Sequence, residues 1–204
     1  MNITHIVTAL AILGMPAVVL AADPPALFVP RLTLDPTAAY PVSGPFSKGA
    51  AFLSLTGSYL SDVQSHTREN IYSNSVGIGW YPVTNLGPVA EIPVSVIHQD
   101  GPDTVGSGLD LLARYHFFSY EKLTLYADGG AGFLLSGESV PTGGTSFNFV
   151  ERAGIGFTYQ ISPHWFLDAG SRVEHLSNAG FRGSEHNPSM NLGVQGYIGI
   201  MYRF

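Results

Sequence analysis

From Lys48 to the C-terminus, apolar and polar positions alternate with a period of two. In GSGLDLLARYHFF, Leu109, Leu111, Ala113, Tyr115 and Phe117 form one face, and Asp110, Arg114, His116 and Leu112 form the other. EKLTLYADGG sets Leu123, Leu125 and Ala127 against Thr124, Tyr126 and Asp128, and RAGIGFTY sets Ala153, Ile155, Phe157 and Tyr159 against Arg152, Gly154, Gly156 and Thr158. MNLGVQGYIGIMYRF gives Met190, Leu192, Val194, Ile198, Ile200, Tyr202 and Phe204 against Asn191, Gln195 and Arg203. Sustained alternation is the signature of strands. Eight such segments can be drawn, at about 48–62, 71–83, 88–98, 107–119, 122–136, 146–160, 164–178 and 190–204.

Each segment is long enough to cross a bilayer at a tilt, which takes ~9–11 residues. The polar faces carry Glu91, Asp110, Asp128, Asp168 and Glu174 with Arg114, Arg152, Arg172 and Arg203. Charges of both signs are costly against lipid unless they pair inside. An all-β, eight-stranded antiparallel transmembrane barrel solves this and leaves no open edge in the membrane. A soluble sandwich or a lipocalin-like barrel would also alternate. Loop lengths favour the membrane: DVQSHTREN, HQDGPDTVG, GESVPTGGTS and AGFRGSEHNPS are long and polar, whereas VTNLG, SYE and ISP are short. Outer-membrane barrels have long external loops and short periplasmic turns. Trp80, Trp165, Phe117 and Tyr202 fall near the short turns, as an interfacial belt would. A barrel of this size is filled by its own side chains, so an open pore is not expected.

The 204 residues suffice for one domain, only 12% are charged, and the net charge is −6. That balance argues against nucleic acid as a partner. No cysteine is present, which removes disulfides, thiolate chemistry and cysteine-held metal. The start, MNITHIVTALAILGMPAVVLAADPPA, has an apolar core and small residues before Asp23. It reads as a signal peptide over 1–21, cut after Ala21 or Ala22, with a membrane anchor as the rival reading. Residues 22–47 form a proline-rich arm, and residues 48–204 the barrel.

The seventh segment holds the candidate chemistry. Trp165, Leu167, Ala169, Ser171, Val173, His175 and Ser177 share its outer face, and Phe166, Asp168, Gly170, Arg172 and Glu174 its inner one. His175 and Ser177 therefore point at lipid, beside a long loop, at the level of the outer leaflet. One reading is a strand turning polar at the membrane rim. The other uses the spacing: residues i and i+2 are neighbours on one strand face, so an imidazole can take the proton of a serine hydroxyl, the unit of acyl transfer.

The stretches HLSNAGF, FNFVERAGIGFTY, WFLDAGSRVE and NPSMN resemble the PagL-type lipid A 3-O-deacylase family, most strongly over 123–204. The resemblance implies an eight-stranded outer-membrane barrel that hydrolyses the ester of the 3-linked hydroxyacyl chain of lipid A. It implies a serine, a histidine and an acid, with no metal and no cofactor. Ser177 would be the nucleophile and His175 the general base. Asn178, with the backbone N–H groups around Ala179 and Gly180, would be the oxyanion site; simple turn chemistry is the rival reading for Asn178 and Gly180. The partner is lipid A or lipopolysaccharide of the outer leaflet, and a homodimer is compatible with this.

The family's glutamate near the start of the last strand is replaced here by Asn191. An asparagine carbonyl can orient an imidazole but cannot stabilise its cation by charge. Parity puts Asn191 on the inner face unless a bulge intervenes. Glu185 is a spare carboxylate in the loop. Glu174 adjoins His175 but points inward, toward Arg172 or Arg152. Glu151 and Arg152 stand where the family carries a similar acidic–basic pair and read as interior ion-pair residues, with a catalytic role as the rival reading, and His116 reads as an interior hydrogen-bonder. His66, His98 and His186 lie in or at loops without ligand-like spacing. The alternative function is a non-catalytic barrel that acts through its loops as an adhesin or structural protein.

Overall fold

The computed structural model describes residues 44–63, 68–181 and 188–204. The proposed leader and most of the arm, together with His66, Glu185 and His186, lie outside these residues.

Eight strands are present: β1 (Ala51–Asp62), β2 (Asn70–Trp80), β3 (Leu86–His98), β4 (Thr104–Tyr120), β5 (Leu123–Val140), β6 (Thr145–Gln160), β7 (Trp165–Ser177) and β8 (Met190–Arg203). Each pairs antiparallel with its chain neighbour, and β1 pairs antiparallel with β8, so the sheet closes into a barrel. The two-residue period of the sequence becomes the inside–outside alternation of the wall. Thus β4 buries Asp110, Leu112, Arg114 and His116 and exposes Leu111, Ala113, Tyr115 and Phe117. A bulge after His116 turns both Phe117 and Phe118 outward where the strand reaches the short-turn end.

The interior is packed. Along β7 the buried residues run Phe166, Asp168, Arg172, Glu174 and Leu176. Phe166 belongs to an apolar cluster with Phe46, Phe52, Tyr81, Val89, Leu112 and Met201 at the short-turn end. Leu176 belongs to a second, with Leu60, Ile71, Ile97, Leu134, Val140, Val150 and Met190, toward the long loops. Phe46 reaches the core from the segment that precedes β1, stacking on His116 at 3.6 Å between ring centroids.

Between the clusters lies a charge network. Arg172 donates to Glu91 at 2.8 and 3.0 Å and to Asp128 at 3.1 and 2.8 Å. Arg114 pairs with Asp128 at 3.0 Å and Asp168 at 3.1 Å, and Arg152 with Asp110 at 2.6 Å and Glu174 at 2.8 Å. The Tyr126 hydroxyl donates to Asp168, and the Tyr81 hydroxyl bonds His116 Nε2 at 2.6 Å. Buried charges survive only when paired in this way. A void of about 20 Å³ beside Arg152, Glu174 and Gln195 is roughly one water in size. The lumen is thus a packed core rather than a channel.

Candidate active site on the outer wall

The facing of β7 is locked from within. Leu176 is 1% exposed, and Glu174, 3% exposed, pairs with Arg152. A slip of one residue would flip every side chain to the other face, bringing the charges of Arg172 and Glu174 to lipid. Hence His175 and Ser177, half-buried, are held on the outer face with Ser171 and Val173. A rise of ~3.3 Å per residue and a tilt of about 40° carry the chain about 25 Å from Trp165 to His175. That matches the height of the apolar band of such barrels, about 25 Å. With Trp165 at the inner interface, the pair lies at the outer one. Among the described residues no hydrogen bond joins the His175 and Ser177 side chains. Such bonds are often long until substrate is bound.

The neighbouring strands complete the surroundings. On β6, Phe149 stands opposite Ser177 and Glu151 opposite His175. Glu151 is exposed on the outer wall, between Phe149 and Ala153, while its neighbour Arg152 points inward. Arg152 is thus an interior ion-pair residue as expected, whereas the expectation that Glu151 is one is corrected. Alternation through FNFVERAGIG already carried the signal, since Phe149, Glu151, Ala153 and Ile155 share parity.

On the β8 side, Glu174 pairs with Gly193 but Leu176 pairs with Met190. One residue of β7, His175, therefore faces two of β8, Asn191 and Leu192. This bulge shifts the parity of the strand start. Met190, expected outside, is fully buried, and Asn191, expected inside in the absence of a bulge, is exposed on the face of His175. The Asn191 Oδ1 accepts from the Ser189 hydroxyl at 2.7 Å.

Past Ser177 the chain turns. Asn178 is 1% exposed, and its Oδ1 accepts the Gly180 N–H at 2.9 Å; its carbonyl accepts the Phe181 N–H at 3.2 Å. Ala179 and Gly180 have positive φ, 53° and 74°. This is asparagine turn chemistry, and it engages the Gly180 and Phe181 N–H groups within the turn. Asn178 also borders an open cavity of about 330 Å³, with Ser139, Gly144, Ser146, Phe147 and Phe181.

An aromatic patch runs up the wall beside the pair, a feature that pattern reading had not singled out. Phe133 and Phe147 lie 6.0 Å apart, Phe147 and Phe149 5.2 Å, and Phe149 and Phe181 5.7 Å.

A closed eight-stranded barrel with an apolar wall, a filled lumen and polar side chains at one rim is a small bacterial outer-membrane protein. Solved structures agree on the fold. Neisserial surface protein A is 17% identical, with TM-score 0.56 and coverage of 77% of this chain and 100% of that one. The N-terminal barrel of Pseudomonas aeruginosa OprF is 15% identical, with TM-score 0.51 and coverage of 77% and 98%. The outer membrane enzyme PagL is 17% identical, with TM-score 0.50 and coverage of 74% and 98%. Among the curated proteins none matches this chain. The family described as lipid A 3-O-deacylase (PagL) matches residues 57–201, and the chain belongs to that family.

Proposed function

We propose that this protein is an outer-membrane serine esterase that removes the 3-O-linked hydroxyacyl chain of lipid A. The observation that carries the reading is the pair His175 and Ser177, turned together to the lipid side of β7 at outer-leaflet depth. A lipid A molecule packed against the wall presents its ester carbonyls at that height. The imidazole of His175 takes the Ser177 proton as Oγ attacks the carbonyl carbon. The C–O bond to the sugar then breaks, and the sugar 3-oxygen leaves with the proton from His175. Water, deprotonated by the same imidazole, attacks the acyl-serine and releases the free hydroxy acid. This two-step route needs no metal or cofactor.

The Ala179 N–H and the Asn178 side chain are the candidate donors to the oxyanion, with Gly180 holding the turn through Asn178 Oδ1. Such donors carry ~10²–10³ in rate. The phenylalanines at 133, 147, 149 and 181 offer the scissile acyl chain a ring-lined path next to Ser177. Residues 1–21 are taken as the export leader, cut after Ala21 or Ala22, and 22–47 as the arm before the barrel.

Mass spectrometry of lipid A from cells expressing the protein tests this. Wild type should lower the mass by one 3-linked hydroxyacyl chain, and Ser177→Ala should leave the chain in place. The replacement of the family's acid by Asn191 favours a second reading, a non-catalytic barrel that works through its loops. Unchanged lipid A with wild-type protein would establish that reading instead.

A further inference from the structure

We infer that Glu151, on β6, is the carboxylate that positions and charges the His175 imidazole, so that the acid of this site comes from the strand preceding the nucleophile rather than from the one that follows. The inference rests on the esterase reading and adds a residue to it.

Three observations converge. First, Glu151 is the register partner of His175, and both side chains leave the sheet on the outer face. Directly opposed side chains have Cβ atoms about 4.5–5.5 Å apart, which a glutamate and a histidine can span with one hydrogen bond. Second, Glu151 is anomalous where it stands. Its outer-face neighbours along β6 are Phe147, Phe149, Ala153 and Ile155, and among the described residues it makes no ion pair or hydrogen bond. At interface depth a carboxylate costs little, so what sets Glu151 apart is its isolation among aromatic and aliphatic neighbours. Every carboxylate directed into the barrel's charge network, by contrast, is held by an arginine. Third, the β8 candidate Asn191, whose Oδ1 accepts from Ser189, is an amide and carries no charge with which to stabilise an imidazolium.

The outer-face residues around His175 are Val173 and Ser177 on its own strand, Phe149, Glu151 and Ala153 on β6, and Asn191, Leu192 and Val194 on β8. Glu151 is the single ionisable group among them. Its role is to accept the imidazole N–H not facing Ser177, fix the tautomer, and stabilise the imidazolium formed as Oγ attacks. Loss of the corresponding carboxylate charge in serine hydrolases costs about 10⁴-fold in rate with geometry intact.

The test compares full-length mature wild type with Glu151→Gln, Glu151→Asp and Asn191→Ala, each folded in detergent micelles. Three readouts are taken: hydrolysis of lipid A, the rate of Ser177 labelling by a fluorophosphonate, and heat-modifiable gel mobility with melting temperature. Glu151→Gln should lower kcat and the labelling rate at least about 100-fold, with KM within about twofold and a melting temperature equal to or above wild type. Glu151→Asp should recover part of both rates, and Asn191→Ala should change them less than about fivefold. A purely structural Glu151 would lower the melting temperature and leave the labelling rate of the folded fraction intact. That result, or Glu151→Gln at wild-type kcat, overturns the inference while leaving the esterase in place. A wild type that neither cleaves lipid A nor labels at Ser177 overturns both.

Discussion

Replacing Arg172 by methionine should destabilise the barrel by about 3–5 kcal/mol. The side chain is 4% exposed and donates four hydrogen bonds, two to Glu91 and two to Asp128. Its guanidinium also lies 4.6 Å from the centroid of the Tyr197 ring. Charge-assisted hydrogen bonds contribute about 1.5–3 kcal/mol each, so four set an upper bound of about 6–12 kcal/mol. The loss is smaller than that, because Asp128 keeps Arg114 as partner. What remains is one buried carboxylate, Glu91, stripped of its guanidinium, and removing one partner of a buried pair costs about 3–5 kcal/mol. Methionine replaces much of the volume, so cavity formation adds little. Urea unfolding in lipid vesicles, followed by the fluorescence of Trp80 and Trp165, gives the value. The double variant Arg172→Met, Glu91→Gln should regain at least half of it, since the stranded charge is then gone. A single-variant loss below about 1 kcal/mol, or no recovery in the double variant, would refute the account of the lumen as a charge-paired core.

Two further outcomes follow from the packing and the turn. A methyl group at Gly170 would meet the Tyr197 hydroxyl and the Ile155 carbonyl, so Gly170→Ala should cost about 1–3 kcal/mol by overpacking in the same unfolding assay. Asn178→Ala removes the acceptor of the Gly180 N–H, and hydrolysis of lipid A should fall about 10²-fold, with a stability loss of only about 1 kcal/mol.

The fold was legible because a transmembrane barrel writes its architecture in parity. Aliphatic and aromatic residues on one face, with Asp110, Arg114, Asp128 and Arg172 on the other, define the wall. The same parity placed His175 and Ser177 outside. It failed at the start of β8, where Met190 and Asn191 both changed face. A bulge inserts one residue between ladder pairs without a sequence mark, and no count of alternation can anticipate it. Glu151 was misplaced for a different reason. The family's acidic–basic pair at this place suggested two interior ion-pair residues, although adjacent residues of a strand point to opposite faces, so only one of them, Arg152, can enter the lumen. The packing of Phe46 onto His116 was hidden because Phe46 sits in a proline-rich segment with no periodicity to read.

The central claim is that a hydroxyl and an imidazole on the lipid side of β7 cleave an ester of the outer leaflet. Comparing lipid A mass spectra from cells that make the wild-type protein or Ser177→Ala, at equal levels of folded barrel, examines it most directly. The account predicts that lipid A loses one 3-linked hydroxyacyl chain only where Ser177 is intact. Identical spectra from the two strains would contradict it.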